Sequence, residues 1–282
     1  MHSQPQPFRF ICLPPAPLRP LVRYFHVECT GACRVMVPAS PYPMLGFFIS
    51  GGSVTDMRGY SEAMVCGPLT TAVLANWLPG TCFISAVCHP AGFGELLGVD
   101  LRALRDCPVP LAEAAPGLPA LALLECLRAG AGPAQWVADC AAWLMALARE
   151  REERVLRAFA VPASLLMAPS GELAQQFGLS VRQFERRHAG AYGLTLREAR
   201  SMARYTRALG MLLCHGARRG SLTGVACAAG YHDQAHMIHD FRRFLGVAPG
   251  NLLGPPGPGG DDLWRLLRYD AEGVQIVAGT GC

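Results

Sequence analysis

Two short segments near the end of the chain concentrate side chains that can bond to nucleic-acid bases. Residues 181–191 contain Arg182, Glu185 and Arg186, and residues 234–244 open with a glutamine and hold two histidines. Arginine can donate to guanine O6 and N7, glutamine can bond adenine, and glutamate can accept a hydrogen bond from the N4 amino group of cytosine. Both segments therefore have the chemistry of helices that read DNA.

The same short pattern precedes each segment. Ala174 and Gly178 stand four residues apart before the first, and Ala226 and Gly230 repeat that spacing before the second. A small residue lets two helices approach closely, and a glycine takes the left-handed backbone angles that end a helix. Two copies of this pattern predict two helix-turn-helix units, in which the second helix of each unit enters a major groove of DNA.

Capping residues mark where the predicted helices begin. Ser180 and Gln183 form a capping box, and Asp233 is the matching cap of the second unit, whose turn is one residue longer. Another capping box begins at Thr195. It predicts a long helix over residues 196–214 that joins the two units.

Arginine is unevenly distributed along the chain. Residues 149–245 contain 15 arginines and 8 acidic residues, whereas residues 1–148 contain 8 arginines and 9 acidic residues. All 25 basic residues are arginine, so compositional bias explains the choice of arginine over lysine but not its clustering. A basic block of this length is the charge pattern of a nucleic-acid binder, whereas a solvated helical face carries balanced charges.

The second unit carries the most specific sequence. It reads GVACAAGYHDQAHMIHDFRRFLGVAP, and it resembles the signature of the AraC/XylS family of transcription regulators: an Ala-Gly helix, an aromatic residue, an Asp-Gln-x-His run, a Phe-Arg pair and a closing Gly-x-x-Pro. The resemblance covers residues 170–253 and implies a DNA-binding domain with two helix-turn-helix units. By position, it implies that the residues facing DNA bases are Arg182, Glu185, Arg186, Gln234, Ala235, His236 and His239.

Other polar residues of the basic block are expected to bind the DNA backbone, which fixes the position of the protein and supplies salt-dependent affinity. Ala235, Met237 and His188 depart from the residues common in the family at those positions, and these departures bear on the DNA sequence that is read rather than on the fold. The residues expected to contact phosphates are Ser180, Arg187, Arg218, Arg219, Arg242 and Arg243.

The first part of the chain has a different pattern. Apolar runs at residues 45–50, 63–66 and 82–88 are separated by Gly-Gly, Gly-Pro and Pro-Gly turns, which is typical of short strands in a barrel or sandwich. From about residue 120, leucine and tryptophan recur at helical spacing, which continues into a charged helix through residues 149–154. The predicted fold class is α+β: a mainly β N-terminal domain with trailing helices, followed by an all-α C-terminal domain of two helix-turn-helix units joined by a long helix.

Three regions follow from these patterns. We expect a sensor or dimerisation domain at residues 1–150, an AraC-type DNA-binding domain at 151–254, and a loose C-terminal tail at 255–282, with one helical turn at 263–267. The segments RVMVPASPYPMLGFFISGG and ISAVCHPAGFGELLGVDLRALRDCPVPL resemble the uncharacterised domain that precedes one subgroup of the AraC/XylS family. That resemblance implies sensing or dimerisation without naming a ligand.

Composition narrows the class of protein further. No apolar run is long enough to span a membrane, and the N-terminus lacks the layout of a secretory signal, so we expect an intracellular, cytoplasmic protein. The 12 cysteines are scattered, and we expect them to be reduced, with many buried as small hydrophobic residues. Cys29 and Cys33 are the closest pair, but no second pair at zinc-site spacing accompanies them.

Catalysis and metal binding are weaker interpretations of the sequence. His232, His236 and His239 have a spacing that could hold a metal ion, but their Asp-Gln-x-His context and the missing carboxylate or cysteine partner favour a DNA-facing role. The sequence contains no nucleophile elbow, dinucleotide-binding glycine motif or P-loop. We therefore expect no enzyme activity, no cofactor and no metal.

The expected partner is double-stranded promoter DNA, without a membrane. RNA polymerase, a second copy of the chain through the N-terminal domain and an unidentified small-molecule effector are further candidates, and the family resemblance favours activation over repression. Two alternatives stay open. One is an N-terminal enzyme or metal-dependent sensor fused to DNA-binding helices, and the other is an architectural DNA binder with a salt-dependent affinity but no preferred sequence.

Overall fold

The N-terminal half of the chain forms two antiparallel β-sheets. The computed structural model describes residues 7–55, 58–215, 222–252, 265–267 and 270–278. The predicted apolar runs form strands because aromatic and β-branched residues favour extended backbone and Gly and Pro turns separate them. The described strands are β1 (Phe8–Cys12), β2 (Val22–Thr30), β3 (Cys33–Val37), β4 (Met44–Ser50), β5 (Ser53–Val54), β6 (Gly59–Tyr60), β7 (Ala63–Cys66), β8 (Val73–Trp77), β9 (Thr81–Cys88) and β10 (Val109–Pro110).

The two sheets face each other. The larger has the strand order β1-β2-β9-β4-β7-β10, and the smaller has the order β3-β8-β5-β6. Side chains alternate along the central strand β9, as the pleat requires. Phe83, Ser85 and Val87 face the space between the sheets, whereas Ile84 and Ala86 belong to the core on the opposite face. The predicted β-rich N-terminal region is thus confirmed.

Helices cover the outer face of the larger sheet. Val27 and Ile84 of the sheet are buried together with Phe93, Leu124 and Leu144 of the helices. Apolar residues three and four apart fall on one helix face, which explains why the periodic segment after residue 120 packs in this way. These helices are α1 (Pro90–Leu97), α2 (Leu111–Ala114), α3 (Ala120–Ala129), α4 (Pro133–Glu150) and α5 (Glu152–Leu156).

The charged segment 149–154 differs from the expected continuous helix. α4 ends at Glu150 and α5 begins at Glu152. Arg151 between them leaves helical backbone angles, with φ −114° and ψ 21°. Its guanidinium donates to the Leu96 carbonyl oxygen at 2.8 Å, so the side chain is bonded to α1 where the helix is interrupted.

Helices make up the C-terminal half. The long helix α8 joins the two units as predicted and extends one residue beyond the predicted end. Phe241 and Phe244 pack their rings against Tyr205 of α8, with centroids 5.2 and 4.9 Å away. None of the described helices is both long and apolar enough to cross a membrane. The helices here are α6 (Ser170–Gln176), α7 (Val181–Tyr192), α8 (Leu196–His215), α9 (Leu222–Ala229), α10 (Gln234–Leu245), α11 (Pro249–Leu252) and α12 (Ala271–Ala278).

The expectation that the cysteines are reduced was wrong for Cys29 and Cys82, and Cys214 is disulfide-bonded as well. Cys29 and Cys82 form a disulfide. They stand opposite each other on the paired strands β2 and β9, where side chains of opposed residues point to the same face. The 53 residues between them in sequence concealed this pairing, because only the strand register brings them together. Cys66 and Cys140 are free thiols, and burial raises the pKa of each to about 12.

The described part of the C-terminal segment is not the loose tail that we expected. Residues 265–267 form a 3-10 turn, in the stretch where one helical turn was anticipated. The helix α12 packs against α8 and β1, and the Arg23 guanidinium donates to the Val277 carbonyl oxygen at 3.2 Å. The Pro/Gly-rich stretch, residues 253–264, lies outside the described residues. The described part of the segment therefore connects the N-terminal sheet to α8.

Candidate nucleic-acid interface

A glycine turn joins α6 to α7. Gly178 has φ 64°, in the left-handed region that favours glycine. The Leu179 amide donates to the Ala174 carbonyl oxygen at 2.9 Å, and the Gly178 amide donates to the Gln175 carbonyl oxygen at 3.0 Å. This pair of bonds is the Schellman arrangement that satisfies the last carbonyls of a helix. The predicted role of Gly178 is confirmed.

The turn between α9 and α10 repeats this geometry. Gly230 has φ 86°, the Tyr231 amide donates to the Ala226 carbonyl oxygen at 2.9 Å, and the Gly230 amide donates to the Cys227 carbonyl oxygen at 3.0 Å. Each bond has its counterpart 52 residues earlier. The two units are therefore local structural repeats, as the two Ala-x-x-x-Gly patterns indicated.

The predicted caps start both second helices. The Ser180 hydroxyl accepts from the Gln183 amide at 3.3 Å, and the Gln183 side chain accepts from the Ser180 amide at 3.0 Å, which completes the capping box. The Asp233 carboxylate accepts from the His236 amide at 2.7 Å. That backbone bond is the main cause of the lowered pKa of Asp233. Each cap fixes the direction in which its helix leaves the turn.

Helix α7 has one buried and one exposed face. Phe184 and His188 are buried against the rest of the unit. Arg182, Glu185 and Arg186 are exposed and lie three and four residues apart, so they share the outer face. The three residues of the first unit that the family resemblance marks for base contact are thus brought together on one accessible surface.

Helix α10 also has one buried and one exposed face. Met237 and Phe241 are buried, whereas Ala235, His236 and His239 are exposed. The positions 235 and 239 are one helical turn apart and face the same side. Three of the four residues that the resemblance marks in the second unit therefore lie on an open surface.

Gln234 is the exception among the residues marked for base contact. It is half-buried, and its side-chain oxygen accepts from the Thr223 hydroxyl on α9 at 3.0 Å. His236 is exposed, but its ring lies edge-on to the Tyr231 ring, with centroids 5.1 Å apart. Both side chains are therefore positioned by neighbours within the second unit.

Four of the six residues expected to contact phosphates lie in the described part of the chain, and all four are exposed. Ser180, Arg187 and Arg242 are exposed at the ends or sides of α7 and α10. Arg243 is exposed too, and its guanidinium lies 5.2 Å from the Phe244 ring centroid. Arg218 and Arg219 lie outside the described residues.

The histidines of the second unit do not gather into a metal site. His232 lies 3.3 Å from the carboxylate of its neighbour Asp233, and His239 lies 3.9 Å from Asp240. Across the described ranges, no group of three or more His, Cys, Asp or Glu side chains could hold a metal ion.

Sequence reasoning placed His188 where the family usually has a buried phenylalanine, but it predicted neither the hydrogen bond of His188 nor the burial of Asp240. His188 is fully buried on α7, and its Nδ1 lies 3.0 Å from the Leu194 carbonyl oxygen. Burial lowers the pKa of His188 despite that hydrogen bond, so the imidazole is neutral and Nδ1–H is the donor. On α10, the buried Asp240 carboxylate accepts from the Ser201 hydroxyl of α8 at 2.7 Å. A polar residue on the apolar face of each predicted helix was the signal that could have revealed them.

The C-terminal ends of both recognition helices touch the N-terminal domain. Gly193 ends α7 with φ 66°, and a Cβ at this residue would lie 2.7 Å from the Leu101 carbonyl oxygen and 2.9 Å from Pro68. At the end of α10, the Phe244 carbonyl oxygen accepts from the Ala39 amide at 3.2 Å. The N-terminal domain thus contacts both units at equivalent places.

An ion pair reinforces the first of these contacts. The Arg105 guanidinium donates to the two Glu198 carboxylate oxygens at 2.6 and 3.0 Å. Glu198 also accepts from the Thr195 amide at 3.0 Å, as the predicted capping box requires. Burial raises the pKa of Glu198, but the bonds from Arg105 and Thr195 outweigh burial and lower it overall. The N-terminal domain is therefore bonded to the first turn of α8.

Residues 173–254 match the protein family described as a helix-turn-helix domain. The match runs from α6 into the residues after α11, so it includes both units and the helix that joins them. The C-terminal domain, with both units, is an AraC-type helix-turn-helix domain. A chain with this AraC-type domain is a DNA-binding transcription regulator. No curated protein matches the chain.

Solved structures of ToxT from Vibrio cholerae are similar to the chain that carries this AraC-type domain. One ToxT structure is 10% identical, with 81% of this chain and 97% of that chain covered and a TM-score of 0.44. Unsaturated fatty acid bound wild-type ToxT of strain SCE256 is 11% identical, with 90% and 97% covered and a TM-score of 0.39. ToxT of strain O395 bound to (E)-4-(8-methylnaphthalen-1-yl)but-3-enoic acid is 10% identical, with 81% and 98% covered and a TM-score of 0.44.

Proposed function

We propose that the chain is a sequence-specific regulator that reads a bipartite promoter site with both recognition helices of one subunit. The observation that carries this proposal is the repeated turn geometry, because the same glycine turn and a side-chain cap precede both α7 and α10. Two recognition helices on one chain can enter successive major grooves on one face of DNA. The half-sites are then about one helical turn, roughly 10 base pairs, apart.

The first half-site is read from α7. Arg182 and Arg186 each have the two donors that match guanine O6 and N7, and Glu185 can accept from the cytosine amino group. Their common exposed face supports this role. The second half-site is read from α10 by Ala235, whose methyl group fits the thymine methyl, and by His236 and His239.

Gln234 contributes to base reading by exchanging partners. Its side-chain oxygen accepts a hydrogen bond from the Thr223 hydroxyl at 3.0 Å. A glutamine that bonds adenine needs both its oxygen and its amide nitrogen at the base edge. We propose that Gln234 rotates from Thr223 to adenine on binding.

The remaining marked residues bind the DNA backbone. Ser180 lies beside the N-terminus of α7, where amide groups attract an anionic phosphate. Arg187, Arg242 and Arg243 supply charge to flanking phosphates, and their exposure supports this role. We propose the same role for Arg218 and Arg219, which lie in the segment between α8 and α9.

The division of labour along the chain completes the proposal. Residues 1–150 regulate or dimerise and residues 151–254 bind DNA, and the described residues 265–267 and 270–278 of the C-terminal segment contact both. Contacts of the N-terminal domain with both recognition units support a regulatory role for it. The family resemblance supports activation through RNA polymerase.

Two arginines that are neighbours on α7 test the assignment of roles. On a site selected from random DNA, Arg186→Ala is expected to cost about 1–3 kcal/mol of binding free energy and to relax preference at one base position. Arg187→Ala is the matched control. It is expected to weaken binding to all sequences alike and to reduce the slope of log affinity against log salt by about one.

Binding assays across single-base variants of the site, at several salt concentrations, separate the two effects. A uniform loss of affinity in Arg186→Ala on every DNA would contradict its role at a base. A sequence-independent affinity of the wild-type chain would contradict the proposed function as a whole.

A further inference from the structure

A cavity of about 170 Å³ lies between the two sheets of the N-terminal domain. The larger sheet contributes Phe83 and Met64, and the smaller sheet contributes Ala75 and Trp77. Leu266 from the C-terminal segment lines it as well. The cavity is therefore walled by three separate parts of the chain, and its lining is largely apolar.

Among the described residues that line the cavity, the one basic side chain is His26, and a carboxylate already pairs with it. His26 of β2 lines the cavity, and its Nε2 lies 3.4 Å from the carboxylate of Glu28, which is fully buried behind it. The other described polar side chains that line it are hydroxyl groups, the Cys66 thiol and the Trp77 indole, and no described arginine, aspartate or glutamate is among them. An anionic ligand would have to lose its water here next to a buried carboxylate, and the basic group within reach is already paired with that carboxylate.

The size of the cavity sets the size of the ligand. A cavity of about 150 Å³ in another protein accommodates benzene. A space of similar volume lined by Phe83, Trp77 and Met64 suits a compact aromatic compound, since aromatic and thioether side chains pack well against rings. The imidazole of His26 can bond to one neutral polar group, such as a hydroxyl.

The wall of this cavity is also the surface that touches the DNA-binding domain. Pro38 and Ser40 line the cavity, whereas Ala39 between them is buried in the core of the second helix-turn-helix unit. The Ala39 amide donates to the carbonyl oxygen of Phe244, the penultimate residue of α10. A single short segment thus separates the ligand space from the second recognition helix.

In two other segments, residues that line the cavity also alternate with residues that contact the helix-turn-helix units. Leu266 lines the cavity, and Leu267 is buried in the core of the second unit. Gly67 and Leu69 line the cavity, and Pro68 between them contacts Gly193 at the end of α7.

The backbone ties two of these segments together. The Ser40 and Leu69 amides each donate to the other's carbonyl oxygen at 2.9 Å. A displacement of residues 38–40 is therefore transmitted to residues 67–69, and a displacement of residues 67–69 to residues 38–40.

We propose that the cavity binds a compact, uncharged aromatic effector with one hydroxyl-type group near His26, and that its occupancy changes DNA affinity through the shared wall at residues 38–40, 67–69 and 266–267. This inference rests on the proposed function for its effect on DNA, but the ligand site stands by itself.

The ligand site is tested on the full-length protein without DNA by calorimetry. The probes are 4-methylphenol, which is neutral at about pH 7.5, and the similarly shaped anion 4-methylbenzoate. We expect 4-methylphenol to bind at least about tenfold more tightly than 4-methylbenzoate, because only the anion loses its charge hydration. Equal binding of the two probes, or binding of neither, overturns the ligand assignment.

Filling the cavity locates the binding. Ala75→Leu places three more carbon atoms in the cavity and is expected to weaken 4-methylphenol binding at least about tenfold. The matched control is Ala122→Leu on α3, an exposed position outside the cavity lining. Circular dichroism and the melting temperature establish that both variants fold. Unchanged binding in a folded Ala75→Leu variant overturns the site.

The coupling between ligand binding and DNA affinity is tested at Gly193 and Gly246, which end α7 and α10 at equivalent positions. An alanine Cβ at Gly193 would collide with Leu101 and Pro68, whereas at Gly246, which has nearly the same backbone angles, it meets no atom within 4 Å. Saturating 4-methylphenol is expected to change the wild-type Kd for a selected DNA site about fivefold or more. That ratio should persist in Gly246→Ala and fall below about twofold in Gly193→Ala.

These measurements test the coupling, the ligand site and the proposed function separately. Probe binding without any effect on DNA affinity, or an unchanged ratio in Gly193→Ala, overturns the shared-wall coupling. Selective DNA binding without probe binding overturns this inference and leaves the proposed function intact. Probe binding without sequence-selective DNA binding contradicts the proposed function but not the ligand site.

Discussion

The ion pair between Arg105 and Glu198 allows the contact between the two domains to be measured as a free energy. It joins residues 93 positions apart, through two hydrogen bonds of 2.6 and 3.0 Å. Arg105→Met removes the charge and keeps much of the apolar side chain. Glu198→Gln removes the partner charge, yet a glutamine at this position can still complete the capping box with Thr195. A double-mutant cycle with these two substitutions therefore isolates the pair.

The expected coupling energy follows from the exposure of the two side chains. Unit charges 4 Å apart attract by about 4 kcal/mol at an effective dielectric constant of 20. The two side chains are 34% and 19% exposed, so solvent screens part of this attraction, and desolvation and side-chain ordering oppose it. The remainder is about 1–2 kcal/mol in the free energy of unfolding.

Urea unfolding of the four full-length proteins gives the coupling energy, at low and at high salt. The matched control is the cycle for Arg58 and Glu113, which also form two bonds, at 3.0 and 3.2 Å, but are 43% and 57% exposed and lie within the N-terminal domain. The interdomain pair should give the larger coupling, and salt should reduce it. A coupling no larger than that of the control pair would refute the view that this contact holds the domains together.

Three further predictions concern the stability of the units. Ser180→Ala loses the hydroxyl that caps α7 and should destabilise the chain by about 1 kcal/mol in urea unfolding, whereas Ser180→Asp should retain most of the stability; equal losses would be evidence against the cap. Because the pKa of His188 is lowered in the folded protein, the unfolded chain binds more protons near and below pH 6.5, so stability falls as pH falls. His188→Phe should therefore show a smaller drop in melting temperature between about pH 7 and 5, and parallel curves would contradict this. Loss of the Cys29–Cys82 disulfide in Cys82→Ser should cost about 2–4 kcal/mol by chain entropy, seen without reductant as a lower melting temperature than that of the wild-type chain; an unchanged melting temperature would disprove it.

Local signals in the sequence predicted the local structure well. The turns at Gly178 and Gly230, the caps at Ser180 and Asp233 and the long helix after Thr195 were predicted because each depends on residues within one or two helical turns. The exposed and buried faces of the recognition helices followed from the same periodicity. The family match to residues 173–254 confirmed the resemblance that these signals carried.

Long-range features could not be predicted in this way. The Cys29–Cys82 pair depends on strand register, and the Arg105–Glu198 pair depends on how two domains meet. The packing of α12 against α8 depends on a surface formed by both domains, which a Pro/Gly-rich sequence does not reveal. Gln234 was assigned to DNA by position, but its bond to Thr223 arises only when α9 and α10 are packed together.

The central claim is that one chain reads two adjacent half-sites with α7 and α10. The most direct test is selection of bound fragments from a random DNA pool by the full-length protein, at near-physiological salt. We expect enrichment of a bipartite motif with half-sites about one helical turn, roughly 10 base pairs, apart. Enrichment of no sequence, or of a motif that contains only one half-site, would contradict the claim that one chain reads two half-sites.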